Sequence, residues 1–89
     1  NIIVAYEPIW SIGTGELPSR ADLVHTIIQI KGTLSQIFGN KIPPVLYGGS
    51  VDDKTIYFFK DIGVIDGFLI GGASKSSKKF IDIIRNYYR

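Results

Sequence analysis

The run Ala5-Tyr6-Glu7-Pro8-Ile9-Trp10-Ser11-Ile12-Gly13-Thr14-Gly15 joins a short apolar strand to a loop that contains two glycines. The β-branched residues Ile2-Ile3-Val4 precede it and predict a strand that ends at the carboxylate of Glu7. Because Pro8 fixes its own φ and disfavours the α conformation for Glu7, this carboxylate is expected at the mouth of the strand. The glycines favour a loop that can move. The pattern therefore predicts a catalytic base followed by a lid, the lid loop, which spans residues 8–18.

Outward from this run, the chain repeats a strand, a loop and a helix three times. The predicted strands are Ile2–Tyr6, Val45–Tyr47 and Gly67–Ile70. Strands that alternate with helices imply right-handed crossovers and a parallel sheet. Each unit uses about 30 residues, and eight such units would use roughly 240, close to the size of a (β/α)₈ barrel. The predicted fold class is therefore α/β, with three consecutive βα units of such a barrel.

The predicted helices carry recognisable boundary signals. Ser19 is expected to cap the first helix, which Gly39-Asn40 should end. Asp52 or Asp53 can cap a short second helix, and Ser76 or Ser77 can cap the last one. In the last helix one face is expected to pack on the sheet, and its members are Phe80, Ile81, Ile84, Tyr87 and Tyr88.

Composition limits the classes of function that the chain can have. Its 89 residues suffice for one small domain, and its net charge of +2 comes largely from scattered lysines and arginines. The one cluster, Lys75, Lys78 and Lys79, is interpreted as a solvated helix start, so no nucleic-acid partner is expected. The absence of cysteine and the single histidine argue against a disulfide scaffold and a metal site. No apolar run approaches the roughly 20 residues of a membrane span, which favours a cytoplasmic location with no membrane partner.

Three predicted strand ends carry polar or glycine-rich segments. These are Glu7, Gly48-Gly49-Ser50 and Gly71-Gly72-Ala73-Ser74. Since the carboxyl ends of parallel strands meet at one edge of a sheet, the three segments should share one face. Glycines at strand ends let backbone N–H groups approach an anion, and a carboxylate beside them can act as a general base. Each Gly-Gly pair alone is more often a tight turn, but together the segments suggest a phosphorylated small molecule beside a base.

Three motifs in order resemble one family. The run from Ala5 to Gly15 is similar to the signature of triosephosphate isomerase, and Tyr47-Gly48-Gly49-Ser50-Val51 and the stretch from Asp66 to Ser74 resemble two later phosphate loops of that family. The resemblance covers essentially the whole chain. It implies that residues 1–89 are the incomplete C-terminal part of a single TIM-barrel domain, strands six to eight with their helices. The first residue already lies in an apolar strand, which fits that expectation.

The resemblance also implies roles for individual residues. Glu7 matches the catalytic base that moves a proton between adjacent carbons of a triose phosphate through an enediolate, interconverting glyceraldehyde 3-phosphate and dihydroxyacetone phosphate. Gly13 in the lid, with Ser50, Gly71 and Gly72, would bind the substrate phosphate. The family needs no cofactor or metal, acts in glycolysis and gluconeogenesis in the cytoplasm, and is usually a homodimer. This family is itself a standard example of base catalysis beneath a closing loop.

The sequence departs from the family pattern at three positions of the lid. Ser11 stands where alanine is usual, which we expect to be tolerated, and Glu16 stands where lysine is frequent. Pro18 occupies a hinge position and has no N–H, so no closed-lid bond can run from that backbone position to Tyr47. The far hinge of the lid therefore departs from the family pattern.

The chain also has no match for two residues that the family carries on earlier strands, an electrophilic histidine and a substrate-binding lysine. Its only histidine, His25, falls in the first helix and is interpreted as a partly exposed helix residue. A base without these partners loses most transition-state stabilisation, so residues 1–89 alone are expected to be inactive. The alternative is a non-catalytic truncated remnant with at most weak phosphate binding. Another phosphate-binding barrel enzyme would explain the glycine loops but not the run from Glu7 to Gly15.

Overall fold

The computed structural model describes residues 1–89 as one sheet of three parallel strands with helices packed against it. The strands are β1 (Val4–Tyr6), β2 (Val45–Gly48) and β3 (Gly67–Leu69), and the helices are α1 (Arg20–Phe38), α2 (Ile56–Phe59) and α3 (Ser77–Tyr87). Single 3-10 turns span Ile9–Ser11 and Gly72–Lys75. The order β1-β2-β3 confirms the predicted α/β class with three consecutive βα units and parallel strands. None of the helices has the length and hydropathy that crossing a membrane requires.

Helix α1 begins and ends at the residues that the sequence predicts. The Asp22 N–H donates to the Ser19 hydroxyl oxygen at 3.1 Å, which satisfies one of the unpaired donors of the first turn. Gly39 ends the helix with a φ of 70°, a conformation that side-chain-bearing residues rarely adopt. His25 is exposed on this helix, in agreement with its interpretation as a helix surface residue.

The core lies between β2, α1 and α2. Tyr47 and Phe59 are fully buried, and their ring centroids are 4.6 Å apart. Leu23 and Ile27 of α1 complete the packing over the central strand. Since β2 is the only strand with neighbours on both sides, its residues have the deepest burial of the three strands.

Asp66 joins β2 and β3 at the amino-terminal end of the sheet, opposite the end that carries the predicted site residues. Its carboxylate accepts a hydrogen bond from the Val45 N–H at 2.9 Å, and its own N–H donates to the Val45 carbonyl at 2.9 Å. Lys31 of α1 adds an ion pair at 3.2 Å. These contacts join the start of β2 to the entry of β3, so the carboxyl ends of the two strands emerge side by side.

Candidate active site

The segments singled out in the sequence meet at the carboxyl edge of the sheet. Tyr6 lies opposite Tyr47, and Gly48 lies opposite Leu69, so the residues that follow each strand face the same side. Glu7 comes directly after β1, and Gly71-Gly72 follow β3 after one residue. The structure therefore gathers the predicted residues on one face.

Glu7 lies across the end of the central strand. A Cβ atom placed on Gly48 would be 2.9 Å from the Glu7 Cγ, a distance that real Cβ atoms essentially never show, and 3.4 Å from the Glu7 Cδ. Gly48 is therefore the residue whose missing side chain makes room for the carboxylate arm. The Glu7 residue itself remains exposed and can reach a molecule bound above the sheet edge.

The lid loop is held against the segment after β2. The Gly15 N–H donates to the Ser50 hydroxyl oxygen at 2.8 Å, and the Ser50 hydroxyl donates to the Ser11 carbonyl. The Ser50 N–H donates to the Ser11 hydroxyl oxygen at 3.2 Å. Both donors of Ser50 are thus engaged by the loop in this conformation.

A cavity of about 230 Å³ lies between the lid loop and the segments that follow β2 and β3. Its lining includes Gly13, Gly15, Ser50, Gly72 and Lys79. Gly13 and Gly15 have φ values of 69° and 79°, a conformation that side-chain-bearing residues rarely adopt, so another residue at either position would strain the loop. Three of the sequence-predicted residues, Gly13, Ser50 and Gly72, therefore line one space.

Two predicted residues lie outside the cavity lining. Glu7 sits on the neighbouring strand end, and Gly71 directly precedes Gly72. The backbone N–H groups of Gly13 and Gly71 donate to no acceptor within the chain, so both are available to an anionic ligand. Such N–H groups at the ends of strands are the usual protein donors to phosphate.

Lys79 is the cavity residue that the sequence interpretation missed. The lysine cluster to which it belongs was assigned to a solvated helix start, and Lys79 is indeed exposed in the first turn of α3. The sequence feature that could have placed Lys79 at the site is its position, because the lysine cluster directly follows the third glycine-rich segment. Lys79 brings a positively charged residue to the lining of a space in which four of the nine residues are glycine.

Asp52 also lines the cavity, but its carboxylate is committed to the backbone beneath it. Oδ1 accepts hydrogen bonds from the N–H groups of Lys54 at 2.8 Å and Thr55 at 2.7 Å. Burial opposes ionisation, yet these bonds outweigh it and hold the pKa of Asp52 below its ordinary value of 3.8. Asp52 therefore stabilises the turn after β2, and the backbone N–H groups of Lys54 and Thr55 stabilise its ionised carboxylate.

Comparison with known proteins agrees with this arrangement. The family model described as triosephosphate isomerase matches residues 1–87. A triosephosphate isomerase from Dehalococcoides mccartyi is 46% identical over 88 residues, and one from Candida albicans is 44% identical over 89. These alignments cover 96% and 97% of this chain but only 35% and 36% of the relatives, so the chain spans about a third of their length.

A solved structure gives the same result for the fold. The crystal structure of triosephosphate isomerase from Bartonella henselae superposes with a TM-score of 0.83 at 32% identity. The match covers 100% of this chain and 35% of that one. The three βα units are thus arranged as in part of that enzyme's barrel.

Proposed function

The chain belongs to the triosephosphate isomerase family, and we propose that it carries the catalytic base and the phosphate-binding loops of a triose-phosphate isomerase. In this proposal residues 1–89 are the C-terminal part of the barrel domain. The observation that supports it is the cavity under the lid loop, which brings Gly13, Ser50 and Gly72 beside the strand end that carries Glu7.

In the proposed reaction Glu7 acts as the base. Its carboxylate removes a proton from the carbon next to the substrate carbonyl and returns it to the neighbouring carbon, so an aldose and a ketose interconvert through an enediolate. The side chain is exposed at the sheet edge and is carried by a strand, which gives it both access and a fixed position. Groups that stabilise the enediolate oxygens would come from the strands that precede Glu7 in the family.

The phosphate would be bound by the lid and the two glycine-rich segments. The unengaged N–H groups of Gly13 and Gly71 can each donate to a phosphate oxygen, while Gly72 and Ser50 border the same space. Lys79 supplies a cation at its edge. Binding the phosphate positions the carbon chain toward Glu7, and positioning of this kind supplies much of the rate enhancement of such enzymes.

The proposed substrate, pathway, location and oligomeric state rest on the same family membership. The substrate is a small phosphorylated triose, glyceraldehyde 3-phosphate or dihydroxyacetone phosphate, and the reaction serves glycolysis and gluconeogenesis in the cytoplasm. The full-length protein is proposed to form a homodimer. Light scattering on the purified full-length gene product tests that assignment, because a monomer at working concentration would contradict it.

The decisive experiment replaces the base in the full-length gene product. Glu7→Gln keeps the shape of the side chain but cannot accept the proton, so kcat is expected to fall by roughly 100- to 10,000-fold. Glu16→Gln is the matched control, because Glu16 is the other glutamate of the chain and its side chain makes no hydrogen bond. Turnover by the unmodified protein that Glu7→Gln leaves intact would contradict the proposal. Inorganic phosphate binding with no turnover at all would favour the non-catalytic alternative.

A further inference from the structure

The lid loop contains a fully buried serine. Ser11 is 0% exposed, whereas its loop neighbours Ile9 and Ile12 are 86% and 50% exposed. A hydroxyl removed from water costs free energy unless it finds hydrogen-bond partners. The loop has thus turned its polar residue inward and its apolar neighbours outward, the reverse of the usual arrangement.

The Ser11 hydroxyl uses its full hydrogen-bonding capacity. It donates to the Glu16 carbonyl at 2.6 Å, accepts from the Ser50 N–H at 3.2 Å and lies 3.1 Å from the Tyr47 hydroxyl oxygen. A serine hydroxyl has one proton and two acceptor sites. Because its proton goes to Glu16, the Tyr47 hydroxyl must be the donor in the third contact. One donor and two acceptor sites are therefore all occupied.

These contacts join two parts of the chain that are far apart in sequence, the lid loop and the end of β2. Glu16 belongs to the far end of the lid loop, Tyr47 to the buried strand β2 and Ser50 to the segment after that strand. A Cβ atom on Gly49 would stand 2.8 Å from the Ser11 Oγ, so the close approach also needs glycine there. We call Ser11, Glu16, Tyr47 and Ser50 the Ser11 network.

We propose that Ser11 is a positioning residue that holds the lid loop closed over the cavity. Tyr47 is anchored in the core by its ring, so its hydroxyl is a fixed donor that the loop can bind or release as a unit. Opening of the loop breaks the contacts of the Ser11 hydroxyl with Tyr47 and Ser50, and water then replaces them. The hydroxyl of Ser11 thus sets the balance between the open and closed loop.

Hydrogen exchange at the Gly15 N–H measures this balance directly. That N–H donates to the Ser50 hydroxyl oxygen and not to Ser11, so Ser11→Ala leaves both the donor and the acceptor of this hydrogen bond in place. In the full-length gene product, Ser11→Ala is expected to speed Gly15 exchange by about fivefold or more, the effect of losing one or more net hydrogen bonds. Exchange at the Tyr47 N–H inside the sheet should change less than about twofold, since the strand stays folded. Ser35→Ala, at an exposed serine of α1, is the matched control.

A second variant keeps the test informative if Ser11→Ala alters packing. Tyr47→Phe keeps the buried ring and removes only the hydroxyl, and it should also speed Gly15 exchange. In the double variant the two effects should be less than additive, because both remove the same contact. Fully additive effects, or an unchanged Gly15 rate in either single variant, would overturn the proposal.

This inference deepens the proposed function, because the same loop would cover the bound phosphate. It rests on that function only for the effect of loop closure on catalysis. Hydrogen exchange is measured without substrate. A protein without isomerase activity would therefore refute the proposed function and leave the exchange test intact. Unchanged exchange in an active enzyme would refute the role of Ser11 alone.

Discussion

Gly48 determines where the Glu7 side chain can lie. In Gly48→Ala the new methyl group would meet the Glu7 Cγ at 2.9 Å and the Leu69 Cβ at 3.2 Å, so the carboxylate arm must move. Displacement of a reacting group by about 1 Å can cost roughly 100-fold in rate, and we expect kcat of the full-length protein to fall 10- to 100-fold. The KM for the triose phosphate should change much less, because the phosphate contacts are elsewhere. Steady-state kinetics measure both constants.

The matched control for that substitution is Gly63→Ala. A Cβ atom at Gly63 would meet nothing within 4 Å, so the methyl group enters open space. Wild-type kcat in Gly48→Ala would show that Glu7 is not positioned by this contact.

Tyr47 makes stability depend on pH in the alkaline range. Burial raises the pKa of Tyr47 above its ordinary value of 10.0. The unfolded chain then loses this proton first, so the stabilisation is complete below pH 10 and is lost as pH rises through the folded-state pKa. Urea unfolding between about pH 9 and about pH 11 should show a steeper loss than in Tyr47→Phe. Tyr57→Phe, at an exposed ring, should keep the wild-type slope.

At the scale of single residues, the sequence predicted positions better than contacts. Glu7, Gly13 and Gly72 were found from local motifs, because strand ends and glycines leave a local signal. Ser11 was predicted to be a small, tolerated change, yet it is buried with partners 36 and 39 residues away. No local pattern reports such a pairing.

Among the elements, helix α3 shows what an apolar pattern leaves undecided. Its predicted packing face is exposed, with Ile81 at 46%, Ile84 at 47% and Tyr88 at 80%, whereas Ile83 is 3% exposed. The helix carries apolar residues on both sides, so the period alone fits two orientations. Packing against α2 selects the one that buries Ile83. That part of the prediction was wrong, although the cap at Ser76 was correct.

The N-cap of α2 is Thr55 and neither of the two predicted aspartates, but Asp52 holds the turn that precedes the helix. Asp52→Ala removes the acceptor for two backbone N–H groups, and the free energy of unfolding should fall by about 1 kcal/mol. Because the folded-state pKa of Asp52 is lowered, this contribution is present above pH 3.8 and is lost as pH falls through the folded-state pKa. Urea unfolding of the variant at neutral and acid pH measures both effects. Asp53→Ala is the control, since the Asp53 side chain accepts no hydrogen bond, and an equal loss there would contradict the assignment.

The whole molecule exposes more large hydrophobic side chains than it buries. Ile2 and Ile3 precede the edge strand β1, Leu69 lies in the other edge strand β3, and α3 presents Phe80 and Ile81 to solvent. The α/β class and strand order followed from the alternation of elements, because each strand and helix leaves its own signal. What covers these edges could not be predicted from 89 residues, since both edge strands lack a neighbour on one side. We propose that the preceding βα units of a barrel cover them.

Reassembly of the barrel tests this proposal on the molecule as a whole. The purified 89-residue chain is expected to have no measurable isomerase activity, because Glu7 lacks the groups that would stabilise the enediolate. Addition of a separate chain that carries the five preceding βα units of a relative should restore turnover, since it covers both sheet edges and completes the site. The same mixture with Glu7→Gln should stay inactive, which shows that any restored activity uses this chain's base. Appreciable turnover by the 89-residue chain alone would contradict the need for the missing units, and it would mean that the exposed edges are compatible with a complete active site.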